Sequence, residues 1–242
     1  MEEALTKREK RELSKEKKAQ EEKRQNYSRA FRKMATWIPI VLIVGVIGYG
    51  IYGAVTSTSK EGSPSVLSSE ISAEDHVKGN PDSDIVIVEY SDFQCPACAY
   101  YSGFMKKLLD EKGDEIALVY RHFPLEQIHK NAKVASYAAE AAGSQGKFWE
   151  MHDLLFANQS VWENLPDPEK EFTKYAQDLG LNIDQFNTDL KSDETRDRVN
   201  NDYRSGIASR VNSTPTFFIN GEKIDNPKSY DQLKKLVEDY SP

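Results

Sequence analysis

The chain has 242 residues, 38% of them hydrophobic and 29% charged, with a formal net charge of −7 and two cysteines. The charge is divided: residues 1–36 hold 12 Lys/Arg and 7 Glu, a net of +5, while the remaining 206 carry a net of −12. A uniform soluble globule is excluded, as is nucleic acid as partner of the acidic body, and two thiols three residues apart cannot staple a disulfide scaffold.

Residues 1–36 pair charges at helical spacing, Glu3/Lys7, Glu12/Lys15 and Glu21/Arg24, and read as a solvated cytoplasmic tail. No charge then occurs between Lys33 and Lys60. Within that stretch residues 37–55 (WIPIVLIVGVIGYGIYGAV) would span roughly 28 Å as a helix, close to the hydrocarbon thickness. Trp37 and Tyr52 suit the two interfaces, and Gly45, Gly48 and Gly50 are at home in membrane helices. Arg29, Arg32 and Lys33 precede the span and only Lys60 follows closely, so the positive-inside rule puts the N-terminus in the cytoplasm and the body outside. A retained single-pass signal-anchor is favoured over a cleaved signal peptide, because the leader is long and no A-x-A site follows.

Residues 56–71 are rich in Ser and Thr and read as a flexible tether. The folded body is then 72–242. Ile85–Tyr90 (IVIVEY) is apolar on both faces, as a central strand should be. A helix is predicted from about Pro96 to Lys112, with Ala97, Tyr101, Phe104/Met105 and Leu108 on its inner stripe, and a second buried strand over Ala117–His122. Strand, helix, strand is a βαβ unit with parallel strands. Residues 125–212 show helical periodicity throughout, including Val199/Tyr203/Ile207, and read as a helical subdomain inserted into an α/β core, with Phe148, Trp149, Phe156 and Trp162 packing it. Thr216–Ile219, Asn220-Gly221 and Glu222–Ile224 form a hairpin with a type I′ turn, before a closing helix from about Ser229 to Glu238.

Cys95-Pro96-Ala97-Cys98 falls where the first strand hands over to the first helix. Pro favours the first helical position, which makes Cys95 the N-cap and puts Cys98 one turn in. Backbone N–H groups and the positive end of the helix dipole then favour a Cys95 thiolate. Such a pair fits redox exchange better than zinc, which needs four ligands where no second pair exists. A thiol metallochaperone remains a further alternative. Glu89 shares a strand face with Ile85 and Ile87, six residues before Cys95, where a partly buried carboxyl could shuttle the proton of Cys98; the plain alternative is a strand-end acid reaching solvent. His122, His129 and His152 read as surface or capping residues, and His76 falls in the linker zone.

Residues 79–98 (GNPDSDIVIVEYSDFQCPAC) and 213–221 (STPTFFING) resemble the DsbA-like branch of the thioredoxin-fold thiol-disulfide oxidoreductases, over roughly residues 72–240. The resemblance implies a thioredoxin fold with an inserted helical subdomain, and no cofactor beyond a Cys95–Cys98 disulfide. It implies Cys95 as nucleophile, Cys98 as resolving thiol, Pro215 as a cis-proline facing them and Glu89 as the family's acid. Thr214, whose backbone would pair with substrate, joins Pro96, Ala97 and Phe93 as the substrate-binding set. The implied partners are exported proteins with free thiols and a membrane quinone-linked thiol oxidase. The expected reaction is donation of a disulfide, with reduction or isomerisation as the alternative. The family's strongest oxidants carry His where this chain has Ala97, so a moderately depressed Cys95 pKa is expected.

Overall fold

The computed structural model describes residues 66–240. Among the described residues no helix is long and apolar enough to cross a membrane; the charged tail and the span expected over 37–55 lie outside them. The described residues contain five strands: β1 (His76–Gly79), β2 (Ile85–Ser91), β3 (Ile116–His122), β4 (Thr216–Ile219) and β5 (Glu222–Ile224). They form one mixed sheet in the order β1-β3-β2-β4-β5. β2 and β3 are parallel, joined by the helix α1 (Pro96–Lys112), and the other neighbours are antiparallel. The β4–β5 turn carries φ of 48° at Asn220 and 84° at Gly221, the left-handed pair that a type I′ hairpin requires.

Alternation along the central strands divides the core. Ile85, Ile87, Ile116, Leu118, Phe217 and Ile219 pack on Met105 and Leu108 of α1 and on Leu233 and Val237 of α8 (Tyr230–Asp239). Val88, Tyr90, Val119 and Phe218 point to the opposite face, against Phe123, Val211 and Tyr203.

Between β3 and β4 lie α2 (Ala132–Gly143), α3 (Phe148–Ala157), α4 (Gln159–Trp162), α5 (Glu169–Asp178), α6 (Ile183–Asp189) and α7 (Asp193–Ala208). They bury Ala135, Ala138, Met151, Leu155, Trp162, Phe172 and Phe186 together with Phe148 and Phe156. The small alanine face of α2 lets these larger side chains approach its backbone closely.

Four local expectations change. Ile207 is 53% exposed; the inward position is Gly206, where a Cβ would come within 2.6 Å of the Phe123 ring and 3.1 Å of Tyr90. The inner stripe of α1 runs through Cys98, Met105 and Leu108, leaving Ala97 exposed. His76 opens β1, a short polar edge strand with no alternation to announce it, paired with Tyr120. Residues 66–70, expected as tether, are docked. Val66 bridges Glu222, Leu67 N–H donates to Gly221 O at 2.8 Å, and buried Arg121 donates to Ser69 Oγ at 2.6 Å and Glu70 O at 2.9 Å. The same guanidinium pairs with Asp75 at 2.9 Å. Ser-rich composition alone does not exclude docking when a buried cation needs acceptors.

Candidate active site

Cys95 is the N-cap of α1, in extended backbone with φ −75° and ψ 122°, and Pro96 opens the helix. Both cysteines are free thiols. Cys95 is 7% exposed and Cys98 is fully buried, while Pro96 and Ala97 stand exposed beside them. The Thr214–Pro215 bond is cis. It turns the Thr214 carbonyl to within 3.5 Å of Cys95 Sγ, and Asn226 Nδ2 holds the Pro215 carbonyl at 2.9 Å. Strand β4 begins at the next residue, so the loop is fixed to the centre of the sheet.

Chemistry separates the two sulfurs. The neighbouring Cys98 side chain does most to favour the Cys95 thiolate, and although burial opposes it, backbone N–H groups of Cys98 and Ala97 add to that effect and bring the Cys95 pKa down to about 5. Burial, then the neighbouring Cys95 and Glu89, push the Cys98 thiol well up. At neutral pH the pair is therefore one thiolate and one thiol.

Glu89 lies 2% exposed on β2 and does not reach solvent. Burial, with a smaller contribution from Cys95, raises its carboxyl to about 7. One wall of a small cavity is formed by Glu89, with Lys78, Trp149, His152 and Asp153 around it; at about 20 Å³ it has room for one water.

Phe93, assigned to substrate binding, is fully buried. It stacks on Tyr120 at 5.2 Å between centroids and tilts against Phe156 at 4.9 Å, so it joins the redox loop to the helical core and offers substrate no surface. The histidines are not surface residues either. Fully buried His122 and partly buried His76 both hydrogen-bond Glu140 Oε1, at 2.7 and 2.9 Å. Burial would raise Glu140, but these two bonds overcome it and hold the carboxyl well below the usual range. Burial lowers the pKa of His152, and His129 Nδ1 lies 2.8 Å from the fully buried Asp92.

The redox loop is held by a polar lock that sequence reasoning missed. Asp92 Oδ1 accepts from Gln94 N–H at 2.7 Å, and Asp92 Oδ2 from Leu125 N–H at 2.9 Å. Gln94 Oε1 accepts from Asn131 N–H at 2.7 Å. From α4, Gln159 Nε2 donates to the Phe93 and Cys95 carbonyls at 2.7 and 3.1 Å. The signal was the polar Ser91-Asp92 and Gln94 interrupting a buried strand-to-helix turn.

A thiolate at a helix N-terminus, a buried partner thiol and the carbonyl that precedes a cis-proline set against the thiolate define a thiol-disulfide oxidoreductase on a thioredoxin fold. The profile of the family described as Thioredoxin matches residues 72–239, and the chain belongs to that family. Among curated relatives, the Na(+)/H(+) antiporter NhaA 1 of Mycobacterium sp. (strain KMS) is 37% identical over 166 residues, 68% of this chain and 26% of the antiporter. The NhaA 1 antiporter of Salinispora arenicola is 42% identical over 163 residues, 67% and 24% of the two chains. The chain thus spans about a quarter of the length of these relatives. Among solved structures, BdbD from Bacillus subtilis superposes with a TM-score of 0.62 at 23% identity, over 72% of this chain and 97% of that one. Wolbachia pipientis alpha-DsbA1 gives 0.62 at 21%, over 70% and 92%. These likenesses bear on the fold; the chemistry stands on the family and on the dithiol, which needs no external cofactor.

Proposed function

We propose that this chain is a membrane-tethered oxidoreductase that donates its Cys95–Cys98 disulfide to exported proteins. The observation that carries the reading is the place of Cys95 at the N-cap of α1, before the fully buried Cys98, which favours a thiolate and lowers its pKa to about 5. A disulfide is oxidising when its reduced form is stabilised, and a low-energy thiolate does that at neutral pH. A substrate thiolate attacks Cys95, the more accessible sulfur, and Cys98 leaves. Exposed Pro96 and Ala97 and the backbone of Thr214 form the surface where a substrate chain would lie. The substrate's second thiol then resolves the mixed disulfide, and the buried Glu89 carboxyl serves as the acid–base group for Cys98. Reoxidation is assigned to a membrane quinone-linked thiol oxidase.

Tethering is supported by the uncharged stretch over 37–55 and its basic flank. Relatives that carry the matched segment within antiporter chains support a role beside a membrane; transport itself is not carried over, since the match covers only a quarter of them.

Equilibration of the full chain against glutathione buffers tests the direction of transfer. The expected potential is well above thioredoxin's, about −270 mV, and Ala97→His should raise it further. A wild-type potential near thioredoxin's would replace donation by reduction or isomerisation.

A further inference from the structure

Four buried polar atoms lie without a hydrogen-bond partner on one face of neighbouring strands: Glu89 Oε1, Ser91 Oγ, Tyr120 OH and His122 Nδ1. The sheet register gathers them. Glu89 and Ser91 are two residues apart on β2 and face the same side, and β3 sets Tyr120 beside Glu89 and His122 beside Ser91. None of the four residues is more than 2% exposed. Native cores hold few such atoms, so four gathered on one face, with Tyr120 in the same core cluster as Cys95 and Cys98, call for a shared explanation.

Ser91 has the central place among them. Its hydroxyl lies on the same face as Glu89 and as Tyr120, which belongs to one core cluster with Cys98, and it works against burial at Glu89, Cys98 and Tyr120 alike. It does so without closing a hydrogen bond to any of them in the dithiol state. A hydroxyl can also give one proton while accepting another and end unchanged.

We propose that Ser91 relays the proton between Cys98 and Glu89 during thiol-disulfide exchange. This rests on the reading of Glu89 as the acid–base group. When a substrate thiolate attacks Cys95 Sγ, the substrate–Cys95 bond forms, the Cys95–Cys98 bond breaks, and its electron pair leaves on Cys98 as a thiolate. Ser91 gives its proton to Cys98 Sγ and takes the carboxylic proton of Glu89. Cys98 ends as a thiol, Glu89 as a carboxylate and Ser91 as it began. The substrate's second thiolate then attacks the substrate sulfur of the mixed disulfide and Cys95 leaves as a thiolate. The substrate dithiol is oxidised by two electrons and the protein disulfide reduced by two. In the reverse direction the Glu89 carboxylate takes the Cys98 proton through Ser91 and creates the resolving thiolate.

The test is single-turnover release of glutathione from full-length chain carrying glutathione on Cys95, a step in which Cys98 must lose its proton before attacking. Ser91→Ala should slow release by about a hundredfold or more, the scale of a lost proton-transfer group. The slowed reaction should show a changed solvent deuterium isotope effect, and Ser91→Thr, which keeps the hydroxyl, should restore most of the rate. Glu89→Gln separates the two readings. If Glu89→Gln releases glutathione at the wild-type rate, the acid–base role of Glu89 falls and the relay falls with it. If Glu89→Gln slows release while Ser91→Ala does not, the relay alone is overturned. Equal slowing by Ser91→Ala and Ser91→Thr would mark a packing role and overturn it as well.

Discussion

Burial at Glu89 sets a pH-dependent cost that a substitution can measure. Below about 4.5 the carboxyl is protonated in the folded and the unfolded chain alike. Between there and about 7 the folded chain keeps a proton that the unfolded chain has lost, so this residue's contribution to stability falls as pH rises across that window. A rise from 4.5 to about 7 corresponds to about 3 kcal/mol. Glu89→Gln should therefore be more stable than the parent by about that amount at pH 8 and close to it at pH 4. Urea denaturation of both proteins in the same redox state checks this, and equal differences at the two pH values would show that Glu89 is not the titrating group. The cysteines divide in the same residue-level terms. Cys95→Ser should abolish exchange, whereas Cys98→Ser should leave an attackable Cys95 that accumulates mixed disulfides with client proteins, read as thiol-sensitive adducts on non-reducing gels.

At the scale of elements, the helical insertion is more than a cover. Asn131, just before α2, donates from Nδ2 to the carbonyls of Trp162, Glu163 and Leu165 at 3.2, 3.1 and 2.9 Å. Its own N–H donates to Gln94 of the redox loop. One side chain thus fastens the end of α4 while its backbone fastens the turn that presents Cys95. Asn131→Ala leaves the partly buried Leu165 carbonyl without its donor, while the Trp162 carbonyl keeps Leu165 N–H and the Glu163 carbonyl keeps Gln94 Nε2, and should cost about 2 kcal/mol in urea denaturation. A loss within error of zero would mean that water replaces the amide.

At the scale of the molecule, the proposed placement of the redox domain rests on the division of charge in the sequence. A reporter fused after Pro242 should be active only outside the cytoplasm if the basic flank of residues 37–55 stays inside. Cytoplasmic activity would reverse the orientation and remove the case for exported substrates. The acidic body does not prevent a low Cys95 pKa, because the helix N-terminus and Cys98 act at contact distance, whereas dispersed surface charge is screened within about 8 Å at physiological salt.

Much of this protein was legible in its sequence because the signals are local. The apolar run at Ile85–Tyr90, the Pro96 helix start, the Asn220-Gly221 turn and the Cys95–Cys98 spacing each fix the backbone within a few residues, and β2, α1, β4 and β5 formed accordingly. What only the tertiary structure decided depends on groups far apart in the chain. β1 exists because an edge of β3 was open to it, and residues 66–70 dock because buried Arg121 needs acceptors. Phe93 turned inward because Tyr120 and Phe156 supply a pocket for its ring. His122 and His76 became buried because Glu140, from the insertion, offers one oxygen to both. Composition ranks a residue by its average solvent preference; a specific partner brought by the fold overrides that average, since a buried polar group is stable only where its hydrogen bonds are met.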